Sequence, residues 1–215
     1  YIVHTSTEET LNEVRAFRSR GGKVFVETCP HYLTHTYESK VGTFGKQNPP
    51  LRSPSDLESM WDAIRDGTID TIGSDHAPRL GAKKNGTVWD ASPGQPNMPV
   101  ILPVLLSEGY NKRNISLQRI SEISSGNVSK IFGLWPQKGS LKIGADADLV
   151  VVDPDLKKKV TAKGLQGRAD YSIYENYELT GWPIMTMIRG TLVARDGELL
   201  AQPGSGEYLS RILGE

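Results

Sequence analysis

Short apolar runs and amphipathic segments alternate along the first third of the chain. The apolar runs lie at 1–4, 23–29 and 69–73, and between them apolar residues recur at the spacing of a helix. Continuous apolar strands that alternate with amphipathic helices are typical of parallel βα units, whose sheet is covered on both faces. The pattern therefore predicts an α/β fold built on parallel strands.

Capping residues mark the ends of the two helices predicted in this region. Ser6 or Thr7 can cap the first helix, which the glycine pair at 21–22 ends. Ser55 is the candidate cap of the second helix, which ends at Gly67. Ser and Thr side chains accept hydrogen bonds from the free N–H groups of a first helical turn, and Gly closes many helices in the left-handed conformation.

The pattern changes after residue 138. Before this point, "MPVILPVLLSEGY" and "SLQRISEISSGNVSKIFGL" predict two further helices, the first of them interrupted by Pro103. Beyond it, "GSLKIGADADLVVVDPD" and "PIMTMIRGTLVARDGELL" are rich in β-forming residues and turns, which is typical of antiparallel strands. We therefore expect two domains, at 1–138 and 139–215.

The composition of the chain argues against nucleic-acid binding, membrane insertion and a disulfide-based fold. Lys and Arg together number 25, as do Asp and Glu, so no basic surplus favours a nucleic acid or an anionic membrane as partner. No apolar run approaches the roughly 18 residues of a membrane-spanning helix. The single Cys29 excludes an internal disulfide framework, which fits a reducing compartment and a cytoplasmic location.

Residues that bind metals or transfer protons follow all three predicted strands. They are His4 after the first strand, Glu27, Cys29 and His31 at the end of the second, and Asp75 and His76 after the third. In parallel α/β folds the carboxyl ends of the strands meet at one rim, where ligands bind. Imidazole and carboxylate groups suit Zn²⁺ or a similar divalent ion, which activates bound water.

Each of these residues also has a structural explanation. A histidine at a strand end is often only hydrogen-bonded, and an aspartate that opens a loop is a common turn former. We expect a structural or rim position for His31, a solvated His35, and a buried, apolar environment for Cys29. From spacing alone, a metal site and a set of structural residues both remain open.

Four motifs together resemble the cyclic amidohydrolases, which are the hydantoinases, dihydropyrimidinases, dihydroorotases and allantoinases of the metal-dependent amidohydrolase superfamily. The motifs are "ETCPHYL", "NPPLR", "GSDHAP" and "GADADLVVVD", in the order that the family has. The resemblance implies the C-terminal part of a TIM-like (β/α)8 barrel, with strands six to eight within 1–138, and a small β-sandwich in 139–215. It also implies a longer protein, of which this chain is the C-terminal portion.

The resemblance implies metal-dependent hydrolysis of a hydantoin, a dihydropyrimidine or a related cyclic ureide. His4 would bind the more exposed of two Zn²⁺ ions. Asp75 would bind the more buried ion, take a proton from the hydroxide that bridges the metals and pass it to the leaving nitrogen. The other ligands, which include a His-x-His pair and a carboxylated lysine, are expected upstream of Tyr1, so we expect this chain alone to be inactive.

The substrate contacts follow from the same resemblance. Asn48 and the segment that contains Pro93 and Gly94 would hydrogen-bond the cyclic imide, largely through the backbone. His76 would be a further substrate contact. The implied partners are a small cyclic amide and further copies of the chain in a dimer or tetramer, with no nucleic acid or membrane.

Several activities remain open within the family. Hydantoinase or dihydropyrimidinase is favoured, because "YSIYENYELTGWPIMTMIRG" resembles the C-terminal region of these enzymes. Dihydroorotase comes next, since "NPPLR" and "SDHAP" are also typical of it, and allantoinase is third. A non-catalytic, dihydropyrimidinase-like scaffold protein is the alternative of another class, but such proteins have lost metal ligands, and His4 and Asp75 are both retained here.

Overall fold

The computed structural model describes residues 1–211 and contains a short parallel sheet, a group of helices and a larger antiparallel sheet. The last four residues of the predicted domain 139–215 lie outside the described residues. No helix within residues 1–211 combines the length and the apolar character needed to span a bilayer.

The three predicted strands lie side by side in parallel, but their paired regions are short. Strand β1 (Glu27–Thr28) pairs with β2 (Thr71–Ile72), and Ile2 forms an isolated parallel bridge with Val26. Just before β1, the Asp70 carboxylate accepts a 2.7 Å hydrogen bond from the backbone N–H of Val26. The side chain of Asp70 thus takes the place of a backbone acceptor.

Two amphipathic helices connect these strands. Helix α1 (Glu8–Ser19) begins as predicted, with Thr7 as its cap. Helix α2 (Pro54–Asp66) is capped by Ser53 rather than by Ser55, so that prediction is wrong. Ser53 and Asp56 form reciprocal side-chain hydrogen bonds to each other's N–H groups, and proline is tolerated in a first turn because its missing N–H needs no partner there.

Apolar side chains of the two helices and of the strands form one core. Its fully or nearly fully buried members include Leu11, Val14, Val26, Met60, Trp61, Ile64, Ile69 and Ile72. Burial of each large apolar side chain contributes about 1.5–3 kcal/mol. The core therefore fixes the positions at which the strands end.

Short helical segments fill the middle of the chain. The α-helices are α3 (Ile101–Val104), α4 (Leu117–Ser121) and α5 (Asn127–Ile131), with π-helical turns at Leu105–Asn111 and Glu122–Gly126 and 3₁₀ turns at Pro30–Leu33, Gly42–Gly45, Gly81–Lys84 and Met98–Val100. Pro103 lies in the first turn of α3, where its ring is tolerated, and the α-helical geometry ends one residue later, at Val104.

The antiparallel strands predicted near the C-terminus form one four-stranded sheet in the order β3-β4-β5-β6. Its strands are β3 (Leu149–Lys159), β4 (Glu178–Ile188), β5 (Thr191–Arg195) and β6 (Glu198–Leu199). Neither a closed barrel nor a second sheet facing this one is formed by residues 1–211. The barrel and the sandwich therefore remain predictions for the full-length protein.

Candidate functional site

His4 and Asp75 both follow the parallel sheet and share an uncommon backbone conformation. Their φ angles are +42° and +44°. A left-handed conformation costs a residue with a β-carbon roughly 1–2 kcal/mol. Such strain persists where the surrounding structure enforces it, and it is frequent at functional sites. The two conformations therefore mark the strand ends as candidate positions for chemistry.

The side chains of His4 and Asp75 are close enough to interact electrostatically. Burial raises the pKa of the Asp75 carboxyl above its usual value, and His4 acts in the opposite direction by favouring the ionised form. Both residues are partly buried. Within residues 1–211, neither side chain takes part in an ion pair or a hydrogen bond, which leaves an imidazole and a carboxylate free to bind a cation.

These two donors fit a divalent metal site, but only as part of a ligand set. Imidazole nitrogen and carboxylate oxygen are both common ligands of Zn²⁺, which takes three or four protein ligands. The described residues contain no group of three or more His, Cys, Asp or Glu side chains placed to hold a metal ion. Further ligands must therefore come from another part of the protein if a metal binds here.

The loop after β2 is folded back against His76. The backbone N–H of Ala77 donates to the carbonyl of Gln95 at 3.0 Å, and the N–H of Met98 donates to His76 Nδ1 at 3.2 Å. A neutral ring that accepts at Nδ1 carries its proton at Nε2. His76 therefore has one nitrogen available as a donor to a ligand.

Gly94 lies where a side chain would not fit. Its φ is +123°, and a β-carbon there would lie 2.5 Å from the carbonyl oxygen of Ala77. Gly94 is buried and the preceding Pro93 partly buried. Because Ala77 is only two residues beyond Asp75, the Pro93–Gly94 segment is next to the strand end that carries the carboxylate.

Asn48 is brought near the same segment by its neighbour Lys46. The N–H of Gly94 donates to the carbonyl of Lys46 at 3.2 Å. Asn48 itself is exposed, and the hydroxyl of Tyr32 donates to the following carbonyl, that of Pro49, at 2.6 Å. The two loops in which substrate contacts were predicted are therefore in direct contact.

Of the other predicted polar residues, Glu27 is partly buried, and His31, His35 and Cys29 are buried. His31 is fully enclosed, its Nδ1 lies 2.6 Å from the Asn97 amide, and burial lowers its pKa to about 3. The prediction of a solvated His35 is wrong: it is 1% exposed. Cys29 is buried as predicted, and burial raises the pKa of its thiol.

The reason for the His35 error is a long-range contact. Its Nε2 lies 3.1 Å from the carbonyl oxygen of Ile173, and its Nδ1 lies 2.8 Å from Thr34 Oγ1. Sequence reasoning also missed Lys84 and Tyr171, which touch the predicted substrate loops. No local pattern identifies such residues, because their partners are distant in the sequence.

Known proteins are similar to this chain in both sequence and structure. Residues 2–193 match the model of the amidohydrolase family. An L-hydantoinase from Paenarthrobacter aurescens is 36% identical over 215 residues, which cover 98% of this chain and 47% of that protein. The chain therefore belongs to the amidohydrolase family, and it spans about half the length of the curated relatives it matches.

Solved structures give the same result. A D-hydantoinase from Bacillus sp. AR9 matches with a TM-score of 0.94 at 33% identity, over 100% of this chain and 49% of that one. A dihydropyrimidinase from Brevibacillus agri matches with a TM-score of 0.93 at 32% identity, over 98% of this chain and 48% of that one. The expected resemblance to cyclic amidohydrolases is confirmed.

Proposed function

We propose that the full-length protein is a metal-dependent hydrolase that opens the ring of a hydantoin, a dihydropyrimidine or a related cyclic ureide. The observation that carries this proposal is the pair formed by His4 and Asp75. Both side chains lie at strand ends, without hydrogen-bond partners in residues 1–211, on a chain whose relatives are named hydantoinases. The pattern of those names favours this activity over the dihydroorotase and allantoinase alternatives.

In this proposal His4 and Asp75 each bind a metal ion, and Asp75 is also the general base. When bound, divalent ions such as Zn²⁺ lower the pKa of a water molecule and polarise the amide carbonyl. The carboxylate of Asp75 accepts the proton of the attacking water and transfers it to the leaving amide nitrogen.

The substrate is held by the two loops that meet beside Asp75. Asn48 offers its backbone groups to the cyclic imide, Pro93 and Gly94 offer lone pairs of their carbonyl oxygens, and His76 offers its free Nε2–H. The contact between the Gly94 N–H and the Lys46 carbonyl supports this assignment, because it keeps the two loops together. These groups fix the ring, so that the amide carbon faces the attacking water.

The remaining parts of the enzyme are proposed for the full-length protein. We infer two Zn²⁺ ions per subunit, with a carboxylated lysine and further histidines supplied outside this chain. Residues 1–138 would complete a barrel, and 139–215 would contribute to a β-sandwich. A dimer or tetramer is the proposed assembly.

A substrate panel tests the proposed function. The full-length protein, loaded with Zn²⁺, is assayed with hydantoin, dihydrouracil, dihydroorotate and allantoin, before and after treatment with a chelator. We expect ring opening of hydantoin or dihydrouracil, its loss with chelator and its return with added metal. A protein that binds no metal and opens none of these rings would instead be the non-catalytic scaffold, and one that binds metal yet opens none of them would contradict the proposed substrate class.

A further inference from the structure

The carbonyl of Lys46 is a junction between three segments of the chain. It accepts the N–H of Gly94 at 3.2 Å and the ammonium group of Lys84 at 2.9 Å. Lys84 belongs to the loop that follows β2, and Lys46 lies two residues before Asn48. The Lys84 side chain therefore binds the same carbonyl as Gly94 and connects the loop after β2, which also contains Pro93 and Gly94, to the loop of Asn48.

The environment of Lys84 is unusual for a lysine. The residue is 0% exposed, although lysine is almost never fully buried without an ionic partner. Burial, together with the positive charges of Arg79 and Lys46, lowers its pKa to about 8. Within residues 1–211, no carboxylate forms a salt bridge with it. Its ammonium group lies 5.5 Å from the centre of the Tyr171 ring, at a distance that allows a cation–π contact.

Tyr171 holds the other side of the same peptide segment. Its hydroxyl donates to the carbonyl of Gly94 at 2.9 Å, while the N–H of Gly94 is bound to Lys46. Its ring also packs edge-on against Phe44, with 5.1 Å between the ring centres. Gly94 is thus fixed at both its N–H and its C=O, and Tyr171 comes from the segment between β3 and β4.

We propose that Lys84 and Tyr171 are positioning residues, which hold the loop of Asn48 and the loop of Pro93 and Gly94 at the spacing that a cyclic imide requires. The proposal rests on the proposed function of the site. Neither side chain needs to touch the substrate. Each acts through Gly94 or Lys46, whose peptide groups are constrained by the hydrogen bonds described above.

This arrangement makes a specific kinetic prediction. Backbone contacts to the imide exist both before and during the reaction, so a loosened loop weakens binding of substrate and transition state alike. Loss of such uniform binding raises KM and leaves kcat nearly unchanged. A purely structural role would instead lower the stability or the fraction of active protein, which reduces the apparent kcat.

Tyr171→Phe in the full-length, Zn²⁺-loaded protein is the principal test, because it removes only the hydroxyl and keeps the ring beside Lys84 and Phe44. The variant loses the hydrogen bond from the Tyr171 hydroxyl to the Gly94 carbonyl. If the free energy of this one bond is lost from substrate binding, KM for hydantoin rises about fivefold. We expect kcat within about twofold of wild type, with metal content unchanged and the melting temperature lowered by no more than about 2–4 °C. Tyr110→Phe, which removes a hydroxyl from a π-helical turn away from these loops, is the matched control.

Lys84→Met keeps the apolar stem of the side chain and removes the ammonium group, so it should raise KM further than Tyr171→Phe does. If Lys84→Met does not fold, the result for Tyr171→Phe alone tests the proposal. An unchanged KM in Tyr171→Phe, or a fall in kcat that parallels a lower melting temperature, would overturn the positioning proposal alone. Wild-type protein that opens no cyclic amide would overturn the proposed function and this inference with it.

Discussion

The imidazole of His35 lies 3.1 Å from the carbonyl oxygen of Ile173, and this contact joins the loop after β1 to the segment before β4. The hydroxyl groups of Thr34 and Tyr174 meet beside it, with 3.0 Å between their oxygens. The two parts of the chain that sequence patterns separate at residue 138 are therefore tied together by hydrogen bonds between polar groups.

The burial of His35 should make the stability of the protein depend on pH. Burial lowers its pKa to about 4, so below the normal histidine pKa the unfolded chain binds a proton that the folded chain does not. Stability is then lost as the pH falls from about 6.5 towards 4, by about 2 kcal/mol between pH 7 and pH 5.

Urea unfolding of the full-length protein at several pH values measures this loss. In His35→Gln the free energy of unfolding should fall about 2 kcal/mol less over that interval than in wild type. Thr34→Val removes the hydroxyl beside the ring but keeps the titrating group, so its pH dependence should follow wild type. Parallel curves for His35→Gln and wild type would show that His35 does not titrate abnormally.

Gly181 gives a test of how β4 packs on the helical region. A β-carbon at this position would lie 2.6 Å from Leu106 Cβ, whereas one at Gly197 would meet nothing within 4 Å. Both glycines have positive φ, at +98° and +87°, so substitution by alanine imposes a similar backbone strain at each. We expect Gly181→Ala to lose about 2 kcal/mol more stability than Gly197→Ala in urea unfolding, because overpacking adds to the strain. Equal losses would mean that β4 does not approach Leu106 this closely.

His4 is expected to determine how many metal ions the protein holds. In His4→Ala one of the two proposed sites loses a ligand, so metal analysis should show a fall from about two Zn²⁺ per subunit towards one. His35→Gln is the control, since His35 is a buried histidine outside the site, and it should retain both ions. If His4→Ala also retained both ions, His4 would be a structural residue at a strand end.

The sequence predicted the parts of the fold that depend on local patterns. The apolar runs, Thr7 and Gly67 placed the parallel strands and helices α1 and α2, and the family motifs identified the correct protein class. The sequence predicts Ser55 as the cap of α2 where the structure has Ser53, because either serine can precede a helix and only the reciprocal bonds with Asp56 distinguish them.

The contacts around the site were much less predictable. Tyr171 reaches Gly94 across 77 residues, and His35 reaches Ile173 across 138. A charged side chain such as that of Lys84 is normally expected at the surface, yet Lys84 is buried against Tyr171. Such contacts follow from how the segments pack in three dimensions, which neither periodicity nor spacing encodes.

The general-base assignment of Asp75 is the central claim. The test compares the turnover of hydantoin by the full-length, Zn²⁺-loaded wild type with that of Asp75→Asn. Asp155→Asn is the control, because Asp155 is an exposed aspartate of β3. Bound metal is measured in each sample. An amide cannot accept the proton of the attacking water. The kcat of Asp75→Asn should therefore fall by a factor of about 10²–10⁴, while the protein remains folded. Asp155→Asn should keep wild-type turnover. Near-wild-type turnover by Asp75→Asn with its metal bound would contradict the account.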